Sequence, residues 1–453
     1  MSTNPTPSDA LNASRRQFLT AAGTLAGGAL AIGALSSLAH AKGRAEGDQQ
    51  VVGKAKPRIV PEEGKPIRIG VIGLGGPNGC AMGLGHCLSI IALAKKKEVN
   101  AQIVAICDLN KLHLDYGKKE IDEAQGGSVE THDNYHDLLA RNDIHGVVIA
   151  TPEHWHAQMG IDAILAGKDV YLEKPMTLHL EDAVRLYKVQ QANPELIVQI
   201  GPQMTNLPKY HEAKKLIKSG AIGTPMFSQT SYCRNSKSGE WHYKVNPEWK
   251  PGVNLNWEEW CGPLGQMEWD PKVYYQWRRY RKTSTGVLGD LLVHVMTPML
   301  MTLDQGWPVR VTGIGSHLCD KEMENHDLVN LAVEFETGHQ MIACGGTGND
   351  TGLETMIRGH EANLFLNSAH CVLRPERIYS EERDEKTITC EDIGNDQDRH
   401  RVKWINAIRS REQPWSSVEL GLKVMVVVDL ATRSMWEGGA YRFDPKTMTA
   451  SKA

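Results

Sequence analysis

The stretch "VYLEKPMTLH", Val170 to His179, runs from residues that suit a buried strand straight into Glu173-Lys174-Pro175. An acid and an amine at a strand exit can anchor charge beside a ligand, and the proline ring stiffens the backbone that carries them. Farther along, "TGVLGDLLVHVM", Thr285 to Met296, sets Asp290 four residues before His294. On a helix that spacing puts both side chains on one face. Chemistry at a hydroxyl needs a group that accepts the O–H proton, with a pKa near working pH. His294 meets that need without adjustment. Asp290 can orient the imidazole or bind a neighbouring hydroxyl. Lys174 can donate to a developing alkoxide, or act as the base where burial lowers its pKa. Residue types leave proton transfer open between Lys174 and His294. With His154, His156 or His179 the same pair could bind a divalent ion, but no ligand motif is recognisable and no metal is expected.

The elements that must position these groups alternate. "IRIGVIGLGG" is an apolar run ending in glycines, followed by a helical stretch through "CLSIIALAKKK". "AQIVAICD" ends in Asp108, "HGVVIAT" leads to Thr151-Pro152, and "DVYLEK" ends at Lys174. Continuous apolar runs suit strands buried on both faces of a parallel sheet. Short connections between strands and helices predict a βαβ array. Ligands of such sheets sit beyond the carboxyl ends of the strands. The glycine loop, Asp108, Thr151-Pro152 and Glu173-Lys174-Pro175 are therefore expected around one crevice. The loop departs from G-x-G-x-x-G: Gly73 and Gly75 fit, but Asn78 stands where the third glycine belongs and Gly79 follows. An acid closing the second strand suits the ribose hydroxyls of NAD and would repel the 2′-phosphate of NADP.

With the glycine loop, Asp108, "ATPEHWHA" and "LEKPMT" in that order, the chain resembles the Gfo/Idh/MocA oxidoreductases. "VQIGPQMTNLPKYHEAKKLIKSGAIG" is similar to the family's crossover into its second domain, and "TGVLGDLLVHVM" to its G-D-x-x-x-H segment. The resemblance runs from about Pro66 to Pro445. It implies a Rossmann doubly wound parallel sheet followed by an α/β domain with a large, mainly antiparallel sheet, often an oligomer interface, so a homo-oligomer is expected. It also implies roles. Gly73, Gly75 and Gly79 would hold the pyrophosphate and Asp108 the adenosine ribose. Thr151, Pro152, His156 and Glu173 would line the nicotinamide side. Lys174 would stand between nicotinamide and substrate, with Asp290 and His294 facing the substrate as catalytic residues. Glu153 and Trp155 depart from the family pattern, where many members have Asn and a small apolar residue.

"NLNWEEWCGPLGQMEWDPKVYYQWRRYRKTSTG" is rich in Trp, Tyr and Arg. Aromatic faces stack on sugar rings while Arg and Tyr bind hydroxyls. Trp277, Arg278 and Tyr280 are the substrate-binding candidates, with ordinary core packing as the plainer alternative. "LVNLAVEFETGHQMIACGG" alternates like antiparallel strands, and "RHRVKWINAIRSREQPW" and "VELGLKVMVVVDLATRSMWEGG" read as helices.

At the N-terminus Arg15-Arg16, then Phe18-Leu19, a Gly/Ala-rich apolar run and Ala39-His40-Ala41 form a twin-arginine signal pattern. The expected organisation is a signal peptide over 1–41, a linker over 42–65 and an NAD-binding domain over 66–200. A substrate and oligomerisation domain over 201–445 and a tail over 446–453 complete it. Export by the twin-arginine machinery to the periplasm is expected, without lasting membrane insertion after cleavage. The 453 residues carry a formal charge of −4, with no basic block to bind nucleic acid. Nine cysteines lie scattered without C-x-x-C spacing.

The periplasm holds no useful pool of free NAD, so an exported enzyme must keep its cofactor and restore it each turnover. Oxidation of one sugar coupled to reduction of another does so. Transient ring oxidation followed by elimination, as in the NAD-dependent glycosidases of the wider family, does so too. The intact E-K-P favours net oxidoreduction of a carbohydrate hydroxyl. A sugar-binding scaffold without catalysis would not need Lys174 and His294.

Overall fold

The computed structural model describes residues 53–77 and 79–453. The signal-peptide expectation and the linker reading through residue 52 lie outside the described residues. Residues 54–65 of the expected linker lie against the first domain. Lys56 N–H donates to the Leu165 carbonyl (2.9 Å), Ala55 N–H to Asn193 Oδ1 (2.8 Å), and Arg409 holds the carbonyls of Glu62 and Lys65.

Six parallel strands form the first sheet: β1 Ile67–Ile72, β2 Ala101–Cys107, β3 Glu130–His132, β4 Gly146–Ile149, β5 Asp169–Leu172 and β6 Val198–Ile200. Their order is β3-β2-β1-β4-β5-β6, so the winding reverses between β1 and β4. A crevice opens at that reversal. β4 and β5 are buried along their whole length, as suits strands covered on both faces, and Asp169 at the start of β5 is paired with Arg411. Gly70 in β1 makes room for Leu138, whose Cδ2 would lie 2.7 Å from a Cβ there. Two of the returning helices are capped by side chains: Asn110 accepts from Leu112 N–H (3.0 Å) and Asn134 from His136 N–H (2.9 Å).

The second sheet has ten strands: β7 Pro225–Cys233, β8 Pro308–Ser316, β9 Leu328–Phe335, β10 Gln340–Gly346, β11 Met356–Gly359, β12 Ala362–Phe365, β13 Cys371–Pro375, β14 Lys386–Ile388, β15 Tyr441–Asp444 and β16 Thr449–Lys452. β7 and β10 pair in parallel, and the other pairs are antiparallel. Residues 449–452 of the expected tail thus form an edge strand. β9 alternates buried and outward residues, the mark of a half-covered sheet.

The covered face packs on the helices Val293–Leu303 and Val418–Glu437. The second of these comes close to β8 because Gly313 has no side chain: a Cβ there would sit 3.0 Å from the Ala431 carbonyl. It also braces the exit of β5, since Gly421 leaves space for Met176. Asp429 Oδ1 accepts from Leu180 N–H at 3.4 Å. One apolar core therefore runs through both sheets' layers and fixes the strand ends described next.

Candidate active site

Four strand ends of the first sheet meet in a crevice lined by Gly73, Gly75, Asp108, Thr151, Pro152, Glu173 and Lys174 together with Trp277 and Arg278 from the second half. At its floor Gly73 and Gly75 adopt φ of 82° and 68°, conformations that other residues rarely take. A Cβ on Gly75 would lie 1.9 Å from the Cys80 carbonyl. Gly79 has a different part from the expected one. The next helix begins only at Met82, and Gly83, not Gly79, packs under the loop, where a Cβ would lie 2.0 Å from the Gly73 carbonyl. The loop is lengthened, so the helix-packing glycine is displaced along the chain. Gly79 instead abuts the phenol of Tyr275.

Asp108 closes β2, and its Oδ2 accepts from Leu74 N–H (2.8 Å) and Gly75 N–H (3.2 Å). The acid expected to meet the ribose thus also shapes the glycine loop. Thr151 Oγ1 is buried without a partner among the described residues. A glycine cradle, an acid at the end of β2 and an orphaned hydroxyl at the end of β4 fit a dinucleotide.

His156 does not line the crevice. Its ring is wedged between two backbone carbonyls, Thr151 O at Nε2 (2.8 Å) and Pro175 O at Nδ1 (2.7 Å). Burial lowers its pKa while the two carbonyls raise it. It is a brace between strand ends, because the helix Glu153–Leu165 starts directly after Pro152 and turns His156 inward.

The E-K-P exit is the charged centre, and the Lys174–Pro175 peptide bond is cis. Lys174 Nζ donates to Asp290 Oδ1 at 2.7 Å, and Arg278 Nε donates to the same oxygen at 2.6 Å. All three side chains are buried. Burial pushes the Asp290 carboxyl up, but Arg278 and Lys174 outweigh it and hold it well below the usual carboxylate range. The Arg278 guanidinium lies 4.0 Å over the Trp277 ring. Asp290 sits in a π-helical turn, Val287–Leu292, that leads into the helix Val293–Leu303. The regular α-helix expected around the Asp290/His294 pair is replaced by this wider turn, a form that recurs at functional sites.

His294 differs from expectation in its chemistry. Burial, then the charge of Lys174, pushes its pKa down to about 3. Its Nδ1 has no partner among the described residues, so Asp290 does not orient that nitrogen. The ring lies 5.7 Å from that of Tyr232, whose hydroxyl accepts from Arg234 at 3.1 Å. Tyr280 stands outside the crevice lining, because the turn Trp277–Arg279 ends there and the backbone becomes extended.

Sequence reasoning placed Glu173 but missed its partner His86, the Arg401 that holds His86, and two further groups. Glu173 Oε1 faces His86 Nε2 at 2.9 Å, and Arg401 Nε donates to His86 Nδ1 at 3.0 Å. That second bond fixes the ring proton on Nε2, so a neutral His86 donates to Glu173. Burial raises the Glu173 carboxyl, yet His86 and Lys174 prevail and hold it at about 2. Glu153, noticed only as a departure, is buried, accepting from Ser284 Oγ (2.6 Å) and, weakly, from Thr285 N–H (3.4 Å). Burial and the nearby Asp290 push it up to about 7 against the pull of Ser284, Arg278 and Lys174. Tyr232 and Arg234, the third group, carried no motif. The pairings of Glu173 with His86 and of Glu153 with Ser284 join residues far apart in the chain, and no local pattern announces them.

A model of the Gfo/Idh/MocA oxidoreductase family, NAD-binding Rossmann fold, matches residues 67–201, and the family's C-terminal alpha/beta domain matches 264–443. An inositol 2-dehydrogenase of Pseudomonas savastanoi pv. phaseolicola is 31% identical over 180 residues, 40% of this chain and 49% of that protein. A glycosyl hydrolase family 109 protein of Shewanella sp. (strain ANA-3) is 29% identical over 311 residues, 63% of this chain and 59% of that protein. The chain spans about half the length of the curated relatives it matches. Among solved structures, a levoglucosan dehydrogenase in complex with NADH superposes with a TM-score of 0.63 at 18% identity, covering 83% of this chain and 98% of that one.

Proposed function

The chain belongs to the Gfo/Idh/MocA oxidoreductase family, and from that premise we propose that it oxidises a hydroxyl of a sugar or sugar derivative, using NAD that stays bound between turnovers. The observation that carries this reading is the buried ion triplet of Lys174, Asp290 and Arg278 at the mouth of a glycine-floored crevice. Gly73, Gly75, Asp108 and Thr151 would hold the dinucleotide, which supplies the hydride acceptor when bound.

The rest of the chemistry belongs to the chain. Asp290 keeps Lys174 and Arg278 apart while fixing both, so the Lys174 ammonium can donate to the substrate hydroxyl oxygen as charge develops there. His294, neutral and unpartnered at Nδ1, is the second group that can take or return a proton. Trp277 lines the crevice and covers one face of the Arg278 guanidinium. The substrate class rests on the relatives' names, an inositol dehydrogenase and a levoglucosan dehydrogenase, together with the aromatic and guanidinium groups beside the triplet. Export through the twin-arginine route, a periplasmic address and a homo-oligomeric state belong to the same proposal, supported by the Arg15-Arg16 pattern and the broad second sheet.

A second reading is favoured by one observation: the glycosyl hydrolase family 109 relatives match more of the chain than the inositol dehydrogenases do. In that reading the hydroxyl is oxidised transiently, a neighbouring group is eliminated and the hydride returns. The test is to denature purified, signal-free protein, identify the released nucleotide by mass, and analyse products from candidate sugars and glycosides. About one NAD or NADH per chain with a keto product supports oxidoreduction. The same cofactor with a cleaved glycoside supports the second reading. A chain that neither holds nor takes up NAD refutes both.

A further inference from the structure

Between the two domains an arm, residues 241–280, departs after β7 and returns through Trp277. Its first part, through residue 263, lies between the two family matches. The arm has a core of its own, built from Trp249, Leu255, Trp257, Trp260, Tyr274 and Tyr275, and it packs on Leu109 and Leu112 of the first domain.

The arm is fastened at three strand ends. Beyond β1, Tyr275 Oη donates toward the carbonyls of Gly76 (3.3 Å) and Pro77 (3.2 Å). Beyond β2, Lys111 N–H donates to Asn254 O (2.8 Å), Asn256 N–H to Leu109 O (3.1 Å), and Asn110 Nδ2 to Tyr274 Oη (3.0 Å). Beyond β4, the Trp260 carbonyl accepts from Trp155 Nε1 (3.0 Å) and contacts His154 Nε2 (2.7 Å). Gly262 permits that approach, for a Cβ there would lie 2.1 Å from the Trp155 ring.

Two cavities meet beneath this arm, sharing Asp108, Leu109, Tyr135 and Glu259. One runs from Lys174 to Asp108. The other continues from Asp108 between Thr131–Tyr135 and Pro251–Glu259. Asp133, Asp137 and Glu259 add their charge to that of Asp108 around Cys107, at the end of β2.

We propose that residues 241–280 clasp the adenosine half of the dinucleotide, so that NAD cannot leave until the arm undocks, and that the surrounding carboxylates reject a 2′-phosphate. The proposal rests on the redox reading above and supplies the retention that reading needs. Trp260 and Tyr274 line the first cavity and so wall the space an adenine ring would enter, and Tyr275 covers the glycine loop. A 2′-phosphate would meet Asp108, Asp133 and Glu259, while Lys111, which also lines the second cavity, is held by Asp115 at 3.0 Å.

The test loads the protein with NAD and follows exchange into isotopically labelled NAD by mass. Exchange in wild type is expected to be slow, and in the double variant Tyr275→Phe/Trp155→Phe at least about tenfold faster. That factor corresponds to about 1.4 kcal/mol. Because the variant could lose its fold, hydrogen–deuterium exchange on the unmutated chain provides an independent readout. Loading NAD should slow exchange in residues 249–262 as well as in the glycine loop, and NADP should do neither. Rapid NAD exchange in wild type, an unaltered rate in the folded variant, or protection confined to the glycine loop would each overturn the clasp while leaving bound NAD intact. Equal protection by NADP would overturn the charge argument. Failure to bind NAD at all overturns the redox reading, and the clasp with it.

Discussion

Lys174 Nζ lies 2.7 Å from Asp290 Oδ1, a contact between the exit of β5 and the π-helical turn of the other domain. The two residues are separated by most of the chain's middle third, yet they form one buried charge unit with Arg278. Isolated charges are not tolerated in such surroundings, so each member depends on the others.

Lys174→Ala is expected to lower turnover by about 10²–10⁴-fold, the range associated with a positioned proton donor. Arg278 still neutralises Asp290 in this variant, so the fold and the bound nucleotide should persist. Steady-state rates beside nucleotide content check it; undiminished rates would remove Lys174 from the chemistry. Asp290→Ala is the harsher change, leaving two cations face to face at a cost of about 3–5 kcal/mol, read as a fall in denaturation midpoint.

Glu153 links pH to both stability and rate. Its folded pKa is raised from 4.5 to about 7, so the folded state holds a proton that the unfolded chain gives up. Its contribution to stability is therefore present below about pH 4.5, declines as pH rises through 7, and is level beyond. The loss is about 3 kcal/mol at 1.36 kcal/mol for each pH unit. Glu153→Gln, which can still meet Ser284, should be more stable than wild type at pH 8 and equal to it at pH 4. Melting curves at the two pH values decide, and an identical difference at both would refute the linkage.

His294 is held at about 3 and stays neutral over the working range. An inflection in kcat/KM near pH 7 should therefore belong to Glu153, vanish in Glu153→Gln and survive in His294→Gln, which loses rate without moving the profile. Disappearance of the inflection in His294→Gln instead would reverse the assignment.

The Arg15→Lys/Arg16→Lys variant tests the address. Full-length protein should then remain in the cytoplasm, and fractionation of cells expressing the two forms reads this directly. Continued appearance outside would discard the twin-arginine argument.

The parts of the fold that could be read in the sequence were those with a local signature. β4 is an unbroken apolar run, β1, β2 and β5 each carry one polar residue among apolar ones (Arg68, Gln102 and Asp169), and the ends of all four carry the residues that gather in the crevice. β3 and β6 are only three residues each and left no periodicity to detect. Asp290 was legible by its place in a motif, but its partner Arg278 was read as a sugar ligand because side-chain pairing is settled by tertiary packing. Gly83 was overlooked for the same reason: the fingerprint counts residues, whereas the longer loop moves the helix start. The docking of the arm depends on contacts such as Lys111 with Asn254, which no periodic pattern encodes.

His156, set between Thr151 on one side and Pro175 on the other, carries a consequence for proton placement. A neutral imidazole carries a single N–H, and both neighbours are carbonyl oxygens, so the ring can donate to only one of the two turns at a time. A change at Thr151, where the crevice holds its orphaned hydroxyl, therefore bears on which carbonyl receives that proton, that of Thr151 or that of Pro175.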